Sequence, residues 1–118
     1  MSKYIKYSLV LALLLLGAGL IYAQMPAARV GDMHVCPMVT GLVPHVGGPI
    51  YTGSTNVLIC GMPAAFLTSQ ATCVGPPDQI IYGSLTVIIN GRPAARLGEV
   101  TAHGGVVTQG CYTVLIGN

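Results

Sequence analysis

The chain has 118 residues, 53% of them hydrophobic and only 7% charged, with 16 Gly, 8 Pro, one Phe and no Trp. An ordinary soluble domain carries about 25% charged residues; so much Gly and Pro argues against a helical bundle, and so few large rings against an aromatic core. The formal net charge is +2 and no Lys follows Lys6, so there is no basic stripe to neutralise phosphates, and nucleic acid is not expected as a partner.

Residues 1–24 form a hydrophobic leader. Lys3 and Lys6 precede an uncharged run from Ser8 to Ala23. The run has the form of a signal peptide with Ala23 at the cleavage point. It also has the form of a short retained transmembrane helix, because Tyr7 to Ala23 is at the short end for a hydrocarbon layer of about 30 Å. A helix shielded by partners is the third reading. The favoured expectation is a retained N-terminal hydrophobic helix that touches a membrane or docks in an assembly.

Residues 25–118 repeat themselves. Pro-Ala-Ala occurs at Pro26, Pro63 and Pro93. Strand-like runs precede two of these, Val57-Leu58-Ile59-Cys60-Gly61 and Val87-Ile88-Ile89-Asn90-Gly91, and a third, Val114-Leu115-Ile116-Gly117, ends the chain. β-branched runs between Gly signals read as strands. Gly53, Gly83 and Gly110 each stand four places before a run's Val. The first Pro-Ala-Ala has no strand before it and the last strand has no Pro-Ala-Ala after it. A closed ring repairs both ends, with the C-terminal strand beside the first Pro-Ala-Ala, and closure removes exposed sheet edges. The expected fold is therefore all-β, a small pseudo-threefold β prism built by one chain.

The repeats locate the chemistry. Cys73 stands ten residues after Pro63, and His103 ten after Pro93. In the first unit His45, nineteen residues after Pro26, holds the corresponding place before Val46-Gly47-Gly48-Pro49, across an insertion that contains His34. Three equivalent positions on a threefold body converge on its axis. Imidazoles and a thiolate there, closed by a fourth ligand from the insertion, suit a structural Zn²⁺. The expected ligands are His34, His45, Cys73 and His103. Cys36 is a rival, because His34 and Cys36 share one face of an extended chain. A Gly-rich body of this size needs such a staple. Arg29 with Asp32, and Arg96 with Glu99, repeat at a three-residue spacing, with Phe66 and Ser69 in the middle unit; bidentate pairs holding one turn per unit are expected. Counted along the repeats, Cys60 aligns with Asn90 and Ile116, and Cys111 with Ser54 and Ser84. A Cys60–Cys111 or Cys36–Cys111 disulfide would require export, and the repeat register favours neither.

Pro26-Ala27-Ala28-Arg29, Pro93-Ala94-Ala95-Arg96, Gly31-Asp32-Met33-His34, His45-Val46-Gly47-Gly48-Pro49 and His103-Gly104-Gly105 resemble the PAAR-repeat proteins over residues 25–118. Phe66 departs from the motif in the middle copy. The resemblance implies a conical tip on the trimeric spike of a type VI secretion machine or a contractile phage tail. It implies a zinc ion, with iron as the alternative, bound by three His and one Cys, here His34, His45, Cys73 and His103. It also implies cytoplasmic assembly, transient contact with a target membrane, effector cargo as a further partner, and no catalysis. A zinc hydrolase would need an open coordination place and a general base; only Asp32, Asp78 and Glu99 could serve, and Asp32 and Glu99 are better explained as Arg partners. The alternative function is an exported envelope or surface β domain with a structural metal.

Overall fold

A computed structural model describes residues 24–118; the leader helix expected over residues 1–24 lies outside them apart from Gln24. Among the described residues no helix is long and apolar enough to cross a membrane. Every regular element is a strand: β1 Met25–Ala27, β2 Met33–Val35, β3 Val39–Thr40, β4 Val43–Pro44, β5 Gly47–Pro49, β6 Leu58–Ile59, β7 Met62–Pro63, β8 Gln70–Ala71, β9 Asp78–Gln79, β10 Ile88–Ile89, β11 Arg92–Pro93, β12 Val106–Val107 and β13 Cys111–Ile116.

Two of the apolar runs make tight hairpins. β6 pairs with β7 (Leu58 opposite Pro63, Ile59 opposite Met62), and β10 with β11 (Ile88 opposite Pro93, Ile89 opposite Arg92). The turn residues Cys60-Gly61 and Asn90-Gly91 all have positive φ, as two-residue turns matched to strand twist require. The third pair has the same register without a turn. β13 lies antiparallel to β1, with Leu115 opposite Pro26 and Ile116 opposite Met25. The ring expected from the unmatched repeat ends is thus closed by strand pairing.

Closure extends to the backbone at the centre. The amide of Ala28 donates to the carbonyl of Ala95, that of Ala95 to Ala65, and that of Ala65 to Ala28, at 2.9–3.0 Å. A second cycle surrounds it: Val30 donates to Pro63, Leu67 to Pro93 and Leu97 to Pro26. The six alanines of the three Pro-Ala-Ala segments are fully buried, because three backbones meeting this closely leave room only for methyl groups. Gly53, Gly83 and Gly110 serve the same approach. A Cβ on them would fall 2.6–2.9 Å from the carbonyl oxygens of Ala64, Ala94 and Ala27.

Side chains stack in layers along this ring. One apolar layer holds Ile59, Ile89 and Ile116 over Ala27, Ala64 and Ala94. The next holds Ile50, Ile80 and Val107 with Ala28, Ala65 and Ala95. Beyond it, His34, Ala71 and Thr101 occupy equivalent buried positions, and the candidate site lies at the far end.

Both expected Arg–carboxylate turns form. The Arg29 guanidinium donates to Asp32 at 2.8 and 3.0 Å, and Arg96 donates to Glu99 at 2.7 and 3.4 Å. In the middle unit Ser69 keeps only the backbone part of this role. Its hydroxyl accepts from the Phe66 amide at 2.9 Å, as Asp32 accepts from the Arg29 amide at 2.8 Å. The covering residue changes in step. Met62 and Met25 reach Gly31 and Gly98 in the two charged turns, whereas Arg92 lies 5.3 Å over the Phe66 ring and donates to Thr68. Thr68 itself has φ +82°, where its counterparts are Gly31 and Gly98. A β-branched residue pays for this conformation, at roughly 1–3 kcal/mol. Thr68→Gly is therefore expected to stabilise the fold by about 1 kcal/mol after the lost Arg92 contact and the chain entropy of Gly are counted, read as a rise in melting temperature; a fall would contradict it.

Candidate metal centre

Counting ten residues from each Pro-Ala-Ala proline gives Cys36, Cys73 and His103. The structure places these three at equivalent ends of β2, of β8 and of the turn after Thr101. The insertion follows Cys36. It forms the β3–β4 hairpin, with Val39 opposite Pro44 and Thr40 opposite Val43, and delivers His45 as the fourth member. One ligand atom each from Cys36, His45, Cys73 and His103 lies within 4.8 Å of all the others.

The cluster is built around His103. Its Nδ1 is 3.4 Å from Cys73 Sγ and 3.7 Å from Cys36 Sγ. The His45 ring meets the His103 ring edge-on, with centroids 5.2 Å apart. His45 Nε2 is 2.6 Å from Thr40 Oγ1, while its Nδ1 is buried without a hydrogen-bond partner. Such a partnerless buried atom is costly in a folded protein. A cation bound at Nδ1, with the other ring nitrogen held by a hydroxyl, removes that cost in the way metal-ligating histidines ordinarily do. The turn carrying His45 is tight: Val46 has φ +56°, and Gly47 donates its amide back to the His45 carbonyl. Strain of this kind clusters at functional sites.

His34, expected as a ligand, is not brought into this group. It is in register with Ala71 and Thr101, one layer further in. Its Nδ1 is 2.8 Å from the Gly48 carbonyl, and its Nε2 is 3.0 Å from Asp78 Oδ2, close in distance although not aligned as a hydrogen bond. His45, Cys73 and His103 are brought together as expected, and Cys36, the rival, takes the fourth place in the group instead of His34. The ten-residue count from Pro26 points to Cys36, and His45 competes with it in the sequence because it also precedes a Gly-Gly turn.

Asp78 braces the cluster from beneath. Its Oδ1 accepts from the amides of Gln79 at 2.8 Å and His103 at 2.9 Å. Burial pushes its carboxyl up, but hydrogen bonds from Thr101 and from the His103 and Gln79 amides outweigh that and hold it below the ordinary carboxylate range. At Cys73, desolvation pushes the thiol up, and the hydrogen bond with the Cys36 sulfur adds to it. A cation reverses that preference, since a coordinating thiol is deprotonated outright. Two sulfurs and two imidazoles in one small cluster are a donor set suited to a soft-to-borderline ion.

Cys60 and Cys111 are joined by a disulfide, while Cys36 and Cys73 are free thiols. The strand pairing also corrects the alignment of Cys60: its counterpart in the last unit is Gly117, because Leu115 and Ile116 match Leu58 and Ile59 in register.

The fold and site define a class: a β body of three closed repeats with a Cys₂His₂ cluster at one end. The family model described as the PAAR motif matches residues 40–109, and the chain belongs to that family. No curated protein matches it by sequence.

Proposed function

We propose that this protein is the metal-stabilised, non-catalytic tip of a spike in a contractile injection machine, of the type VI secretion or phage-tail kind. The observation that carries the reading is the Cys36, His45, Cys73 and His103 cluster at one end of a threefold-patterned body of the PAAR family. Four protein ligands leave no place for a reacting water, so the ion is structural. Zn²⁺ suits two thiolates and two imidazoles, and iron is the alternative. In this reading the body is a cone whose narrow end leaves few residues to pack, and a metal crosslink replaces the missing core. The target membrane is its transient partner, and effector cargo a further one. Assembly in the cytoplasm precedes delivery.

The opposite end suits a threefold partner. Leu58, Ile88 and Leu115 are equivalent by register and remain 64, 56 and 55% exposed. Three matching apolar side chains on one ring are complementary to the blunt end of a trimeric spike protein. Replacing all three by Glu is expected to abolish capture of the native trimeric spike from host extract, with metal content unchanged. Equal capture by the variant would sink the docking surface.

The Cys60–Cys111 disulfide favours a second reading, an exported envelope β domain with a structural metal. The mass of the mature protein separates the two: loss of the leader through Ala23 supports export, and its retention supports the spike tip.

A further inference from the structure

The disulfide occupies a position of the repeat that the sister units fill differently. The Ser54 hydroxyl donates to Asn90 of the next unit's turn, and the Ser84 hydroxyl donates to the Gly117 carbonyl. Cys111 is the counterpart of Ser54 and Ser84, and Cys60 the counterpart of Asn90 and Gly117. The third joint of the cycle is therefore the bond between Cys111 and Cys60, with Cα atoms 6.4 Å apart. The local pattern agrees in detail. Ser54 contacts Asn56, Ser84 contacts Thr86, and Cys111 contacts Thr113, each two residues on.

The location is also where strand and Pro-Ala-Ala segment are not joined by a turn. In the first two hairpins a two-residue turn ties the strand to its Pro-Ala-Ala segment. In the third, β1 and β13 are far apart in sequence and are joined by strand pairing and packing with no turn between them. A seam closed without a turn opens more readily than a hairpin of the same length. A covalent bond at Cys111 anchors β13 to the turn of the neighbouring hairpin and closes a loop with a sequence separation of 51. Long loops gain the most from a crosslink in the chain-entropy account.

We propose that Cys60–Cys111 is a redox-dependent lock on ring closure, chemically separate from the metal-binding thiols Cys36 and Cys73. It is made when the chain meets a disulfide donor of the thiol–disulfide oxidoreductase class. The two thiols give up two protons and two electrons, and the donor's disulfide becomes a dithiol. Oxidised, the lock holds β13 against β1; reduced, the seam opens while the far end stays clamped. Leu115 lies on β13, so on the docking reading above the lock also keeps the apolar triad in register. That consequence rests on the reading; the lock itself does not.

The test uses the full chain, purified with Zn²⁺ and oxidised with glutathione disulfide. Alkylation in denaturant and chelator is expected to label Cys36 and Cys73 only, with a Cys60–Cys111 crosslinked peptide in the digest. Reduction by dithiothreitol in the presence of excess Zn²⁺ is expected to lower the melting temperature by roughly 10–20 °C. Metal content should stay unchanged, and amide exchange should quicken in Cys111–Ile116 and Met25–Ala27 before the rest. The double variant Cys60→Asn with Cys111→Ser rebuilds the sister joint and should melt near the reduced protein, insensitive to reductant. Four labelled cysteines after oxidation, or identical melting and exchange in the oxidised and reduced chains, would overturn the lock whatever becomes of the spike-tip reading.

Discussion

Stripping the metal with a chelator is expected to lower the melting temperature of the oxidised full chain by more than about 20 °C, reversibly on adding Zn²⁺. Structural zinc supplies about 10–16 kcal/mol in small zinc peptides, which have almost no other core. This body keeps two apolar layers without the ion, so the metal's share is smaller, but the end layer has little else. Without a cation, His45 Nδ1 remains buried and partnerless, and the Cys73 thiol sits desolvated beside a second sulfur. Substitutions distinguish the ligand sets. Cys36→Ser, Cys73→Ser, His45→Ala and His103→Ala should each reduce bound metal well below one per chain, by elemental analysis. His34→Asn should retain it. Metal lost by His34→Asn and kept by Cys36→Ser would restore the ligand set read from the sequence and refute the one proposed from the structure.

The second large effect is expected at Asp78. Asp78→Ala should cost about 3–5 kcal/mol, the range found when one partner of a buried polar pair is removed. Three groups lose their acceptor at once. The amides of Gln79 and His103 have no other use for their protons at that point. Thr101 loses the carboxyl it donates to, and the buried His34 Nε2 loses the carboxylate oxygen that lies 3.0 Å away. Because the His103 amide is one of the three, the change also loosens a ligand, and metal affinity should fall by about 10–100-fold, as for other supporting groups behind metal ligands. Urea unfolding with and without metal separates the two effects. Unfolding midpoints equal to those of the native chain in both conditions would show that Asp78 braces nothing.

Much of the fold was legible because the repeat is punctuated by residues with narrow physical roles. Pro-Ala-Ala marked where three backbones meet, and the methyl groups are all that the central ring of hydrogen bonds admits. The spaced glycines marked the close approaches to Ala64, Ala94 and Ala27. The unmatched ends implied closure, and β1 with β13 supplies it. The Arg29–Asp32 and Arg96–Glu99 pairs could be read because both partners vanish together at Phe66 and Ser69. What could not be read was the compensation for that loss, Arg92 moving over Phe66, since it comes from the neighbouring unit.

The site was legible in kind but not in membership. Spacing alone brought His45, Cys73 and His103 to one end. It could not separate His34 from Cys36, which share a strand face two residues apart. One layer of depth distinguishes them, and depth depends on what fills the layer beneath: the Gly48 carbonyl holds Nδ1 of His34 and Asp78 lies 3.0 Å from its Nε2, leaving the next inward-facing side chain, Cys36, to reach the cluster. The disulfide was equally hidden. Cys60 and Cys111 are far apart in sequence, and the register was one residue out at the C-terminus until strand pairing set Gly117 opposite the turn position. The sequence by itself therefore determined the three units, their closure and the chemical character of one end, because these follow from local residue patterns repeated along the chain. Which sulfur faces which partner was decided only by tertiary structure, because it depends on the relative depth and rotation of segments that the chain does not join directly.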